Sequence, residues 1–245
     1  MKKRIFTGAG VAIVTPFKDG KVDFDTLGKL IDFHIENKTD ALIVCGTTGE
    51  SATLEDDEHR AVIDYSVERV AHRIPVIAGT GSNNTSYACD LSRHAMESGV
   101  DGLLCVTPYY NKTSQKGLVR HYFAIADSTA LPVIVYNIPG RTGLNITPET
   151  YKELSTHPNI VATKEGNGCI SSVIQTRHLC GDELDIYSGN DDWVVPILSV
   201  GGLGVISTTS NILPREMHDM CSLYFEGKTE QSAQLQIKQI GRAHV

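Results

Sequence analysis

The chain has 245 residues, 41% of them hydrophobic and 21% charged, which is enough for one large globular domain. A formal net charge of -7 argues against a nucleic-acid partner, because phosphate binding needs a concentrated excess of lysine and arginine. The basic start Met1–Arg4 precedes too short an apolar segment for a secretory signal, and no run approaches the ~18 residues of a membrane span, so we expect a cytoplasmic protein without membrane contact.

Short β-branched runs recur along the chain, each followed by a polar turn and a segment with helical periodicity. In chain order, the predicted strands are Val11–Pro16, Ala41–Cys45, Pro75–Gly79, Gly102–Val106, Pro132–Tyr136, Ile160–Glu165, Leu184–Gly189 and Gly204–Thr208. The helices between them carry start and stop signals. Asp23 is a predicted N-cap, Thr53 with Asp56 approximates a capping box, and a helix stops near Gly99.

The repetition of strand and helix without a linker or a change in composition defines the predicted fold class. It is an α/β fold, a parallel (β/α)₈ TIM barrel, which is the common use of this pattern at this length. The alternative is an open, doubly wound sheet. That fold would place a glycine-containing nucleotide-binding turn after the first strand, and the sequence has none there.

The sixth predicted strand ends in a lysine. If side chains alternate along it, Ile160, Ala162 and Lys164 share one face, and Lys164 is an amine at the end of an apolar row. Burial lowers the pKa of such an amine, and a neutral amine can attack a carbonyl to form a Schiff base. On this stretch alone, a solvated lysine at a strand end is the alternative.

Reactive and polar residues follow the other predicted strands at the end where barrel enzymes build their active sites. They are Thr47, Thr48, Glu50, Tyr109, Tyr110, Tyr136, Arg141, Lys164 and the run from Gly189 to Asp192. Together they favour a pocket for carbonyl chemistry over simple turn chemistry. The run Gly201–Gly204 precedes the eighth strand, so we interpret it as a tight turn at the opposite end and expect unphosphorylated carboxylate substrates.

Cysteine and histidine give no sign of a metal site or a disulfide framework. The six cysteines lack CxxC spacing and are interpreted as reduced and structural, and the nine histidines contain no HExxH pair. We therefore expect no bound metal.

Four segments in this order resemble the dihydrodipicolinate synthase family, within the pyruvate-dependent class I aldolases. They are Gly46–Ser51, Thr107–Lys112, Tyr136–Gly143 and Lys164–Glu165, and the resemblance extends from about Phe6 to about Gln239. It implies the condensation of pyruvate with L-aspartate 4-semialdehyde in lysine and diaminopimelate biosynthesis. It also implies no external cofactor, because the lysine itself supplies the electron sink.

The resemblance carries roles onto individual residues. Lys164 would form the Schiff base with pyruvate, while Thr47, Tyr136 and a Tyr110 from a neighbouring subunit would form a proton relay. The expected substrate-binding residues are Thr48 for the pyruvate carboxylate, Arg141 for the semialdehyde carboxylate, and the backbone of Gly189 and Ile206 at the pyruvate site.

The resemblance further implies a homotetramer built as a dimer of dimers, with a cleft for a lysine inhibitor in some members. The residues that match this cleft are Ser51, Ala52, His59, Asn83 and Tyr109. Asp56 and Tyr87 stand where inhibited members often have histidine and glutamate, which leaves feedback inhibition open.

Two domains are expected: residues 1–228 as the barrel and residues 229–245 as the remnant of a truncated C-terminal helical domain with a non-native tail. Two alternative functions are another pyruvate-dependent aldolase, such as N-acetylneuraminate lyase, and a non-catalytic barrel. The presence of Arg141 disfavours the first, and the presence of Lys164 and Tyr136 disfavours the second.

Overall fold

Eight parallel strands close into a barrel in the computed structural model, which describes residue 2 and residues 4–243. The strands are β1 (Gly8–Ala12), β2 (Phe17–Lys18), β3 (Lys21–Val22), β4 (Ala41–Val44), β5 (Val76–Gly79), β6 (Gly102–Val106), β7 (Val133–Asn137), β8 (Ile160–Glu165), β9 (Asp185–Ser188) and β10 (Gly204–Ser207). The order around the barrel is β1-β10-β9-β8-β7-β6-β5-β4, and β2 and β3 form a separate antiparallel pair. The predicted (β/α)₈ barrel is confirmed.

Helices follow the strands and cover the barrel. They are α1 (Phe24–Glu36), α2 (Asp56–Val70), α3 (Thr85–Ser98), α4 (Gln115–Asp127), α5 (Pro139–Thr142), α6 (Pro148–Leu154), α7 (Ile170–Cys180), α8 (Val194–Ser199), α9 (Pro214–Phe225) and α10 (Thr229–Ala243). No helix in the described part of the chain is long and apolar enough to cross a membrane.

Of the three helix-end signals predicted above, two are confirmed and one is wrong. Asp23 caps α1 by accepting from the Thr26 amide at 3.0 Å, and Gly99 ends α3 in the left-handed conformation. The predicted capping box at Thr53 and Asp56 is wrong, because Glu55 is the N-cap of α2 and forms the box with Glu58. The sequence contains several acidic residues here, and only the backbone path decides which of them caps the helix.

The first strand begins earlier than predicted, at Gly8 instead of Val11, because glycines form the joint that closes the barrel. Gly8 pairs with Gly204, and a Cβ placed on Gly204 would lie 1.8 Å from the carbonyl oxygen of Gly8. Gly204 also has a φ of +152°, which residues with a side chain rarely adopt. A glycine-rich strand of this kind lacks the apolar periodicity on which strand prediction depends.

A register shift in β8 changes which residues face the barrel interior. Ile160 pairs with Val133 and Ala162 pairs with Ile134, so Val161 is an extra residue in the strand. Ile160 consequently packs in the layer between barrel and helices, whereas Val161 and Ala162 pack in the interior. The prediction that Ile160 shares a face with Lys164 is therefore wrong.

Helix α10 packs against α9 and α8 at the end of the barrel. The Ser232 hydroxyl donates to the Met220 carbonyl at 2.7 Å, and Leu235 contacts the apolar cluster that contains Val194 and Met217. The division at residue 228 stays a prediction. The expected non-native tail falls on residues 240–245, whose side chains lie outside the described residues.

Candidate active site

Lys164 lies at the carboxyl end of β8, where strand alternation turns its side chain into the barrel. It is 5% exposed, and its Nζ lies 4.3 Å from the centroid of the Tyr136 ring. Strand register sets this contact, because the Cα of Lys164 pairs with Tyr136 on one side and with Tyr187 on the other. Tyr187 itself stacks on Phe6, with ring centroids 4.4 Å apart.

The surroundings of Lys164 favour its neutral form. Burial lowers the pKa of the amine from 10.5 to about 8; the nearby Asp191 carboxylate acts in the opposite direction, and the Arg141 guanidinium acts in the same direction. A large fraction of the amine is thus unprotonated in mildly alkaline solution. An unprotonated, buried amine is the form that attacks a carbonyl carbon.

Tyr136 is buried beside the lysine and keeps its proton. Burial raises the pKa of this phenol, while the Arg141 charge and the Thr47 hydroxyl act in the opposite direction. The phenol can therefore donate a proton and take one back next to the amine, as a general acid and base does.

The loop after β4 presents free backbone donors. Its turn is closed by the amide of Glu50 bonding to the Thr47 carbonyl at 3.1 Å and that of Ser51 to the Gly46 carbonyl at 3.3 Å. Within residues 2 and 4–243, no protein acceptor takes the amide N–H of Thr47 or Thr48. Two adjacent free amides in a turn suit a small carboxylate.

Gly189, which follows β9, and Ile206, in β10, are the two remaining predicted residues of the pyruvate site. The Gly189 amide donates to the Glu165 carbonyl at 2.7 Å, and a Cβ at Gly189 would lie 3.0 Å from that oxygen, so a side chain here would push the neighbouring strand away by a few tenths of an ångström. Ile206 is fully buried in the interior cluster that also contains Tyr136.

A cavity of about 450 Å³ opens beside the loop after β4. Its lining includes Thr47 and Arg141 from the predicted substrate site, together with four residues of the predicted effector cleft, Ser51, Ala52, His59 and Tyr109. Lys164 does not line this cavity. The cavity thus brings together residues of the predicted substrate site and of the predicted effector cleft.

The remaining effector residue, Asn83, does not line this cavity; its side-chain amide donates to the carbonyl of Tyr109, which does, at 3.3 Å. Asp56 and Tyr87, the two residues that differ from inhibited members of the family, are bonded to each other. The Tyr87 hydroxyl donates to the Asp56 carboxylate at 2.8 Å. Arg60 binds the other oxygen of Asp56 at 2.9 Å. Tyr87 therefore presents an engaged phenol to the cavity.

Tyr110 is the one predicted catalytic residue that the fold of a single chain does not bring to Lys164. Its side chain is 91% exposed, and its backbone has a φ of +67°. A bulky residue in this conformation is strained, and strain of this kind concentrates at functional sites.

Sequence reasoning missed the connection between the site and the last helix. Asp191, in the loop after β9, accepts from the amides of Thr208 at 3.1 Å and Thr209 at 2.9 Å with one carboxylate oxygen. The Gln236 amide of α10 donates to the Asp191 carbonyl at 2.7 Å. A polar residue on the buried face of a helix was the only signal for this contact.

A closed (β/α)₈ barrel with a buried lysine and tyrosine at adjacent strand ends defines an enzyme of the class I aldolase type. The sequence model of the Dihydrodipicolinate synthetase family matches residues 5–241, and the chain belongs to that family.

Individual relatives agree with this assignment. The 4-hydroxy-tetrahydrodipicolinate synthase of Caldicellulosiruptor saccharolyticus is 60% identical over 235 residues, which cover 96% of this chain and 79% of the relative. The crystal structure of the dihydrodipicolinate synthase from Aquifex aeolicus matches with a TM-score of 0.93 at 43% identity, over 95% of this chain and 80% of that one. A chloride-inhibited dihydrodipicolinate synthase from Acinetobacter baumannii, solved with pyruvate, matches with a TM-score of 0.92 at 41% identity, over 95% and 80% of the chains.

Proposed function

We propose that this protein condenses pyruvate with L-aspartate 4-semialdehyde to give 4-hydroxy-tetrahydrodipicolinate and water. The observation that carries the proposal is the buried Lys164 amine, whose pKa is lowered to about 8, with its Nζ 4.3 Å from the centre of the Tyr136 ring. The relatives named above support the choice of substrates.

In the first stage, the neutral Lys164 amine attacks the keto carbon of pyruvate, and loss of water leaves a Schiff base. Tyr136 delivers the proton that the departing hydroxyl needs. The free amides of Thr47 and Thr48 hold the pyruvate carboxylate, and the backbone at Gly189 and Ile206 forms the other wall of this subsite.

In the second stage, loss of a methyl proton converts the Schiff base into an enamine, whose carbon attacks the aldehyde of the semialdehyde. The Arg141 guanidinium lines the cavity and is the cation that binds the second carboxylate, for which its planar pair of donors is suited. The substrate amine then displaces Lys164, which closes the ring and frees the enzyme.

The third member of the proton relay, Tyr110, is proposed to come from a second subunit. Its exposure and its strained backbone are what a side chain that inserts into a neighbouring site requires. The assembly proposed is the family's homotetramer, a dimer of dimers. The protein is proposed to act in the cytoplasm, in lysine and diaminopimelate biosynthesis.

The effector cleft is proposed at Ser51, Ala52, His59, Asn83 and Tyr109. Because Tyr87 replaces a carboxylate and its hydroxyl is bonded to Asp56, capture of an inhibitor's ammonium group is expected to be weak.

The first experiment is borohydride reduction in the presence of pyruvate, followed by intact mass and peptide mapping, with semialdehyde turnover measured on the same sample. A pyruvate adduct on Lys164 together with turnover is expected. Lys164→Met should abolish both, while Lys152→Met, a change at an exposed lysine of α6, should leave both intact. Folded protein that forms no adduct would overturn the Schiff-base mechanism.

The choice of aldehyde substrate is tested separately with Arg141→Ala. The apparent KM for the semialdehyde should rise about tenfold or more, and that for pyruvate should change much less, because the variant loses a charged contact to one substrate only. Equal changes in both KM values would argue against this role.

A further inference from the structure

Glu165 is a buried carboxyl group next to Lys164 in the chain and on the opposite face of β8. Its side chain is 6% exposed, and no described cation forms an ion pair with it. Hydrogen bonds replace the missing cation: the carboxylate accepts from the Asn137 amide at 3.0 Å, from the Tyr151 hydroxyl at 2.8 Å and from the Asn167 amide N–H at 2.8 Å. Burying a carboxyl group without a paired cation costs free energy of folding. A carboxyl group retained there, next to the reactive lysine, points to a functional role.

These bonds connect Glu165 to the loop that carries Arg141. Asn137 also donates to the Asn145 side chain at 2.8 Å and accepts from the Ile146 amide at 3.2 Å. The segment 138–146 starts directly after Asn137 in the chain, and the Asn137 side chain binds the end of the same segment. Asn137 therefore holds both ends of the segment. Glu165 orients this amide by accepting its remaining hydrogen.

The hydroxyl groups around Glu165 allow two complete arrangements of hydrogen bonds. When Glu165 is ionised, Thr163 donates to Tyr151 at 3.0 Å and Tyr151 donates to the carboxylate. When Glu165 is protonated, it donates to Tyr151, Tyr151 donates to Thr163, and Thr163 donates to the Val135 carbonyl at 3.1 Å. Neither arrangement leaves a buried donor without a partner, so the site accommodates a proton without disruption.

The groups that face Glu165 are few. They are the Asn137 amide from β7, the Tyr151 phenol from α6 and the Asn167 amide of the loop after β8, while the Thr163 hydroxyl of its own strand bonds to Tyr151. Tyr151 is the titratable side chain among these bonding partners. Burial raises the pKa of Glu165 to about 7, whereas the hydrogen bonds it accepts act in the opposite direction.

We propose that Glu165 is a positioning residue: through Asn137 it fixes the loop that carries Arg141, and the gain or loss of its proton sets the affinity for the aldehyde substrate. The ionised form binds Asn137 through a charge-assisted hydrogen bond, which is stronger than that of the neutral form. The inference rests on the proposed function, because it concerns how the semialdehyde carboxylate is held.

The test compares wild type with Glu165→Gln from pH 6 to pH 8.5. Glutamine approximates the neutral carboxyl group, with its oxygen towards Asn137 and Asn167 and one of its two amide hydrogens donated to Tyr151. In wild type, the KM for the semialdehyde should fall about fivefold as pH rises through 7, with a smaller change in kcat. Glu165→Gln should stay at the acidic value throughout and still form the pyruvate adduct.

Two further variants separate this role from a merely structural one. Tyr151→Phe removes a donor that favours the ionised carboxylate, so the step in KM should move to higher pH. Asp185→Asn is the matched control: burial also raises the pKa of Asp185, but this carboxyl group lies at the opposite end of the barrel, in the first residue of β9. In Asp185→Asn, the step in the KM for the semialdehyde should occur at the same pH and with the same size as in wild type.

Amide hydrogen exchange of residues 138–146, corrected for the intrinsic effect of pH, gives a readout that needs no turnover. Protection should increase through pH 7 in wild type and not in Glu165→Gln. A step in KM that persists in Glu165→Gln, or a wild type without a step, would overturn the proposal. Adduct formation without turnover would instead overturn the proposed function, and the exchange experiment alone would then decide the role of Glu165.

Discussion

At the scale of a single residue, the burial that makes Lys164 reactive also lowers the stability of the folded protein. A lysine that must be neutral to react is buried, and burial lowers its pKa to about 8. Between pH 8 and 10.5 the unfolded chain holds a proton that the folded chain has lost, so stability rises with pH in this window. Below pH 8 the whole cost of burying the charge is present.

Replacing Lys164 with methionine should therefore stabilise the protein at pH 7, by about 1–3 kcal/mol. Methionine fills similar space without a charge. Denaturant unfolding at several pH values measures the effect, and the gain should shrink as pH rises from 8 towards 10.5. A variant less stable than wild type at pH 7 would show that the amine is well solvated in the folded state.

At the scale of secondary-structure elements, the last helix supports the site through backbone contacts. Gln236 on α10 donates to the Asp191 carbonyl at 2.7 Å and accepts from the Val195 amide at 3.0 Å, which joins α10 to the loop after β9 and to the start of α8. Asp191 is also the carboxylate that opposes the lowering of the Lys164 pKa. By holding the loop that carries Asp191, α10 influences the pKa of the Lys164 amine.

Gln236→Leu should destabilise the protein by about 1 kcal/mol, because two partly buried backbone groups lose their partner. If the loop shifts and takes the Asp191 charge further from Lys164, the pH midpoint of adduct formation with pyruvate should also move down. Gln234→Leu, on the exposed face of the same helix, is the control. A Gln236 variant with wild-type stability would mean that α10 does not hold this loop.

The sequence predicts much of this element-level arrangement but not all of it. Strand periodicity placed Lys164 and Tyr136 at adjacent strand ends because parallel strands align their carboxyl ends. It could not detect the extra residue at Val161, since a bulge depends on the register of the neighbouring strand. It also could not pair Glu165 with Tyr151, because such a contact depends on how a helix docks on the barrel.

At the scale of the whole molecule, stability depends on the joint between the first and the last strand. Parallel pairing of β1 with β10 begins at Gly8 and Gly204, and the backbone of Gly8 lies too close to Gly204 for any side chain there. Every other strand of the barrel has two neighbours without this joint, and its formation gives β1 and β10 their second neighbour.

Gly204→Ala should therefore cost more than about 3 kcal/mol, because it combines a clash with the Gly8 carbonyl and a strained backbone. Gly140→Ala is the control, since a Cβ there meets nothing within 4 Å. Circular dichroism and denaturant unfolding would measure both variants. Equal stabilities would show that the joint can open without loss of the fold.

The same joint has a consequence for the protein as it leaves the ribosome. Roughly 200 residues separate the two strands, and at about 5–20 residues per second the growing chain takes about 10–40 s to supply the second. Throughout that time the backbone of β1 has an unpaired side, which is the kind of edge that recruits strands from other chains. We therefore expect slower elongation to lengthen the time in which the nascent chain can aggregate through this edge.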